Sequence, residues 1–133
     1  MRNTLCAILL VVIVSIAAAA DDHGDSALTA SPIQVDGSLV TACIEAPGDM
    51  DYFLFSAVAG RTYRLRTTHP SAEMVSVLYL FASDGRSILS VAYGSDDEVG
   101  ATIDWTCPSD GTYFVMVRHA LSTSGTGCYG LSI

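Results

Sequence analysis

The stretch Asp49-Met50-Asp51-Tyr52-Phe53-Leu54-Phe55 decides the fold class. It is short, aromatic and alternating, with Phe53, Phe55 and Ala57 on one parity and Tyr52 and Leu54 on the other. Pro47-Gly48 stands before it and Ala59-Gly60 after it, so turn chemistry bounds it on both sides. A segment of this kind is a strand with one face on a core, since successive side chains of a strand point to opposite faces. The same pattern repeats outward in both directions. The sequence predicts strands at 39–45, 50–58, 62–68, 75–83, 87–93, 101–106, 112–118 and 128–133. Between them lie Ser83-Asp84-Gly85, Pro108-Ser109-Asp110-Gly111 and Ser124-Gly125-Thr126-Gly127. Helical periodicity is absent after the first twenty residues, which makes this an all-β sequence of about eight strands.

Residues 1–20 stand apart. Arg2 supplies a positive start, Leu5 to Ile16 is an apolar run interrupted only by Ser15, and Ala18-Ala19-Ala20 offers small residues for cleavage. That is the pattern of a secretory signal peptide, and it predicts a secreted or periplasmic product with no membrane span in the mature chain. The 113 residues that follow suit one domain, with residues 21–38 as a lead-in segment that is not a strand and 39–133 as the β domain. They carry five arginines and no lysine against fourteen acids, a net charge of −9. Such a surface repels phosphate backbones, which excludes nucleic acid as a partner, and it attracts cations.

Period-2 alternation assigns Phe53, Phe55, Ile103, Trp105, Tyr113, Val115, Val117, Tyr129 and Leu131 to the core, together with Leu78 and Leu80. The opposite faces are unusually aromatic. Tyr52, Tyr79, Phe81 and Phe114 either form a docking surface for a ligand or lie beneath loops and the lead-in as a second apolar layer. Arg64 and Arg66 share a strand face that can grip a carboxylate, although exposed pairs of this kind are ordinarily solvated.

Catalytic chemistry has no assembled site in the sequence. His23, His69 and His119 are scattered, no Gly-x-Ser-x-Gly elbow occurs, and Gly125-Thr126-Gly127 precedes a strand and not a helix. The expectation is a protein that is not an enzyme. Cys43, Cys107 and Cys128 follow the leader without zinc spacing, and export favours a disulfide with one cysteine left over.

Taken in order, several segments resemble the bacterial pre-peptidase C-terminal domain. They are Asp21-Asp22-His23-Gly24-Asp25, Ile44 to Phe53, Ala59-Gly60-Arg61-Thr62-Tyr63, Val77 to Phe81 with Asp84-Gly85, Pro108 to Tyr113, and Gly125 to Ile133. The resemblance implies a jelly-roll-like antiparallel β-sandwich of the kind appended to secreted proteases. Some relatives bind collagen or other polymers, and some bind calcium where the lead-in meets the first hairpin. It therefore points to calcium as the cofactor and to Asp21, Asp22, Asp25, Asp49 and Asp51 as its ligands. The run Asp96-Asp97-Glu98 is a weaker second cluster. First and last strands of a jelly roll are neighbours, and Cys43 and Cys128 share an outward parity, so these two are the expected disulfide and Cys107 the free thiol.

The function expected is a non-catalytic binding module that docks an extracellular protein or polysaccharide. The alternative is a structural or accessory partner of a separately encoded secreted protease or envelope assembly.

Overall fold

A computed structural model describes residues 20–69, 73–95 and 100–133. Nine strands are present among them: β1 (Ser31–Pro32), β2 (Val40–Ile44), β3 (Met50–Ala57), β4 (Thr62–Thr68), β5 (Ser76–Phe81), β6 (Ile88–Tyr93), β7 (Thr102–Thr106), β8 (Gly111–His119) and β9 (Gly127–Ser132). The leader expected at 1–20 and the Asp96-Asp97-Glu98 cluster fall outside the described residues, Ala20 excepted.

Two sheets face each other. The first has the order β1-β3-β8-β5-β6 and the second β2-β9-β4-β7. Every pairing is antiparallel except β1 with β3, and β3 and β8 run in continuous register from Met50↔Arg118 to Ala57↔Gly111. This is the expected all-β sandwich. The core between the sheets holds Phe53, Phe55, Leu65, Leu78, Leu80, Val115, Val117, Tyr129 and Leu131, all fully enclosed. Trp105 is only half-buried and packs at the margin, edge-on to Tyr113 at 4.6 Å between ring centroids.

One expectation about the lead-in is corrected. Residues 21–38 contain a strand, because Ser31–Pro32 pairs in parallel with Phe53 and Leu54. Its shortness and its proline hid it, since proline cannot donate to a ladder and sits only at sheet edges. A 3-10 turn at Ala27–Thr29 precedes this strand. The Tyr52 N–H donates to the Gly24 carbonyl at 3.1 Å and the Ile33 N–H to the Leu54 carbonyl at 3.0 Å, so the lead-in is tied along β3 for ten residues. The His23 ring lies 4.5 Å from that of Phe53, and its Nδ1 is 2.8 Å from Ser31 Oγ.

First and last strands of the second sheet are neighbours. Cys43 and Cys128 face each other directly in the β2–β9 register and are joined by a disulfide. Cys107 is free and buried, with its Sγ donating to the Ser109 carbonyl at 3.0 Å. The cross-link closes 85 residues of chain. Restricting the unfolded chain over a loop of that length contributes roughly 4–5 kcal/mol in the chain-entropy model. Replacing both cysteines with serine is therefore expected to lower the unfolding free energy by about 2–5 kcal/mol. Urea denaturation followed by Trp105 fluorescence checks this, and an unchanged midpoint would rule out the cross-link as a source of stability.

Candidate functional site

Four carboxylates meet at one end of the sandwich. Glu45 follows the last residue of β2, Asp49 completes the turn after Gly48, Asp51 is the second residue of β3, and Asp21 arrives from the lead-in. Gly48 has φ +89°, a left-handed conformation that glycine adopts without strain, and the turn it makes brings Glu45 and Asp49 together. One carboxylate oxygen from each of the four residues lies within 4.8 Å of the others. An open depression of about 320 Å³ adjoins them, lined by Asp21, Asp25, Glu45, Asp49 and the residues of the turn.

The strand alternation that sends Phe53 and Phe55 into the core sends Asp51 there too, and its residue exposure is zero. Its Oδ2 accepts a 2.5 Å hydrogen bond from the Tyr129 hydroxyl of the opposite sheet. Its Oδ1 and the Glu45 Oε2 are both buried with no hydrogen-bond partner among the described residues. Burial pushes the Asp51 carboxyl up to about 8, with the nearby charges of Asp22, Asp49 and Glu45 adding to the effect. Glu45 is raised to about 7, first by burial and then by its contacts with Asp49 and Asp22. Burial, reinforced by Asp51, likewise raises the Tyr129 hydroxyl far above its ordinary value.

Such a group of acids is stable in only two ways: some members hold protons, or a cation sits among them. The donors are hard oxygens, and two of them are buried and unspoken for. That suits a calcium ion, which takes six to eight oxygens at about 2.3–2.6 Å and fills vacant positions with carbonyls and water.

Of the five acids expected from the sequence, the structure brings Asp21, Asp49 and Asp51 into this group and leaves Asp22 and Asp25 outside it. Asp22 Oδ2 accepts from the Cys43 N–H at 3.0 Å, and Asp25 Oδ1 accepts from the Met50 N–H at 3.2 Å. Both carboxylates pin the lead-in to the hairpin. Glu45 was not among the expected ligands. Its signal was its position beside the Pro47-Gly48 turn, which returns the chain so that Asp49 Oδ2 accepts from the Glu45 N–H at 2.9 Å.

The outer aromatics are split. Phe81 is 7% exposed, while Tyr52, Tyr79 and Phe114 are half-buried. The lead-in covers one corner: a Cβ on Gly85 would meet the Ala27 methyl at 2.6 Å and the Phe114 ring at 3.7 Å. Tyr52 and Tyr79 flank Phe81 with ring centroids 5.9 and 6.0 Å away and near-parallel planes. Arg118 donates from Nη2 to the Tyr79 hydroxyl at 2.9 Å. These four residues are therefore partly a second apolar layer. The open apolar surface of this sheet lies beside them on β6, at Ile88, Leu89 and Tyr93.

Two histidines approach a serine: His23, whose bond to Ser31 ties the lead-in, and His69. His69 Nε2 is 2.7 Å from Ser76 Oγ, and Ser76 Oγ is 2.6 Å from Thr67 Oγ1. His69 is 6% exposed and touches a depression of about 250 Å³ lined also by Leu39, Thr41, Thr68 and Tyr129, while Ser76 and Thr67 are fully enclosed behind it, so the serine hydroxyl lies in the protein interior. Nε2 also accepts from the Ser76 N–H at 3.3 Å, which leaves the imidazole neutral with Nδ1–H unpartnered among the described residues. Burial, then the neighbouring His119, lowers the His69 pKa. No carboxylate among the described residues orients this ring, so the arrangement is a buried structural network.

Fold and site together define a β-sandwich module with an acidic cluster at one end. The sequence profile of the bacterial pre-peptidase C-terminal domain matches residues 49–119, and the chain belongs to that family. Among solved structures it is similar to the pre-peptidase C-terminal domain of collagenase from Bacillus anthracis. The TM-score is 0.59 and the identity 15%, over 77% of this chain and 92% of that one. It is also similar to PliG of Aeromonas hydrophila, a periplasmic lysozyme inhibitor of g-type lysozyme, with TM-score 0.53, 13% identity and the same two coverages. Comparison with curated protein sequences gives no match. No helix among the described residues is long and apolar enough to cross a membrane.

The raised Asp51 has a pH consequence. With a folded value of about 8 against an ordinary 3.8, its contribution to stability is fully present below about pH 4 and is lost as pH rises toward 8. In chelator, the melting temperature of the wild type is expected to fall across that interval more steeply than that of Asp51→Asn, which keeps an acceptor for Tyr129. Parallel pH profiles for the two proteins would show that Asp51 titrates normally.

Proposed function

We propose that this chain is a secreted or periplasmic binding module that docks a protein partner, with calcium fastening its lead-in to the first hairpin. The observation that carries the calcium part is the buried Asp51 with its unpartnered Oδ1, grouped with Asp21, Glu45 and Asp49. A cation there would join a lead-in residue to three residues of the sandwich, so binding and ordering of the lead-in would be one event. Calcium is expected to raise the melting temperature by mass action on the folded state, and Asp49→Asn to remove most of that gain. A calcium titration with neither thermal shift nor heat would sink this part of the reading.

Support for a protein partner comes from the open apolar surface of β6 and from the two similar structures. One is a domain of a collagenase and the other a periplasmic lysozyme inhibitor. Ile88, Leu89 and Tyr93 are 56%, 43% and 71% exposed on one edge strand. Clustered exposure of this kind marks contact surfaces. With the immobilised module as bait in secreted material from its own source, Tyr93→Ser with Ile88→Ser is expected to lose the specific partner while the melting temperature stays within about 1 °C. Equal capture by both proteins would place the contact elsewhere. The purified module is expected to hydrolyse no peptide, ester or glycoside, and turnover abolished by Ser76→Ala would overturn the non-catalytic assignment.

A further inference from the structure

We propose that the arginine-lined groove on the outer face of the second sheet docks an extended acidic segment of a partner protein. The groove, of about 500 Å³, runs along β4 and is bordered by Arg61, Arg64, Arg66, Thr62, Ser132 and Gly37. It lies on the sheet opposite to the one carrying β6, so it is separate from the surface discussed above. Five arginines and no lysine follow residue 20 in a chain with fourteen acids, and three of the five border this one groove. A positive strip on so acidic a domain concentrates field where an anionic partner can be held and oriented.

The local geometry prepares these cations for a ligand. Arg64 is fixed by two bonds to Asp104, Nε to Oδ1 at 2.7 Å and Nη2 to Oδ2 at 3.1 Å, which leaves its Nη1 donors free. Arg66 stands opposite Ser132 and Thr102 in the sheet register, and neither brings a charge to it. Arg61 and Arg66 form no ion pair among the described residues. Asp36, between the groove residues Val35 and Gly37, spends its Oδ1 on the N–H and hydroxyl of Ser38 at 2.9 and 2.5 Å. Asp104 is paired with Arg64 and Asp36 keeps its charge while bonded to Ser38, so the three guanidinium groups outnumber these two side-chain carboxylates, and Arg61 and Arg66 are unpaired among the described residues.

The period of the strip selects the ligand. Arg64 and Arg66 are two residues apart on one strand face, a repeat of about 6.8 Å. An extended peptide with acids at alternate positions has the same repeat. Tyr63 is the one aromatic residue that borders the groove, and its strand parity is opposite to that of Arg64 and Arg66, which disfavours a sugar chain stacked along the arginine face. Tyr63 is turned into the sandwich against Phe55 and Trp105, at 5.8 and 6.1 Å between centroids, and its hydroxyl accepts from the Val58 N–H at 2.9 Å.

The test is fluorescence anisotropy with three labelled probes: a peptide of alternating aspartate and serine, a peptide of the same composition with its aspartates contiguous, and an oligogalacturonate. The alternating peptide is expected to bind tightest, and to weaken about tenfold or more when salt rises from about 0.05 to about 0.3 M. The double variant Arg61→Ser, Arg66→Ser, whose side chains make no hydrogen bond among the described residues, should lose this binding by about tenfold with an unchanged melting temperature. Arg86→Ser, outside the groove, should keep it. No binding by any probe, equal binding by the double variant, or tighter binding of the oligogalacturonate would overturn the proposal. None of these outcomes bears on β6, whose variants are read in the capture experiment.

Discussion

The hydrogen bond from Tyr129 to Asp51 is the contact on which the rest of this molecule turns. It links the two sheets through the core at 2.5 Å, from the middle of β9 to the start of β3. A carboxylate so deeply placed is costly unless it is bonded, protonated or matched by a cation. Tyr129 satisfies one oxygen of Asp51, and the other faces the acids gathered from the β2–β3 turn and the lead-in. Everything at that end of the sandwich is arranged around this incompletely satisfied group. The disulfide contributes to the arrangement, since Cys128 precedes Tyr129 and Cys43 lies two residues before Glu45.

The lead-in is the second organising element. By pairing along β3 and placing Ala27 against Gly85, it covers one corner of the outer aromatic face. What stays open is displaced toward β6, the strand farthest from the lead-in in that sheet. A segment that contributes Asp21 to the acidic site at one end thereby also sets which apolar surface stays open. Asp22 and Asp25, spent on backbone N–H groups, are the residues that hold it down.

The strand pattern and most of the core were legible in the chain because alternation and turn residues act locally. Phe53, Phe55, Tyr113, Val115 and Tyr129 face inward as their parity requires. The same parity applied to Asp51 would have shown it entering the core, and with it the need for a partner such as Tyr129. Other features were not readable in this way. A two-residue strand containing proline carries no period, and Trp105 shares the parity of Ile103 yet lies at the margin, where the sandwich no longer encloses it fully.

Sequence alone determined the class of this protein: an acidic all-β domain with strands at regular intervals. Those properties follow from composition and from side-chain alternation, which need no knowledge of distant contacts. Tertiary structure alone decided which acids share a site. Glu45 joins Asp21, Asp49 and Asp51, while Asp22 and Asp25 leave the group for backbone donors. Tertiary structure also decided that Phe81 is covered while Tyr93 is open. The physical reason is common to both cases. Proximity between a lead-in, a turn and a strand is set by how the two sheets pack and where the connecting chain is tied, and spacing along the sequence does not encode it.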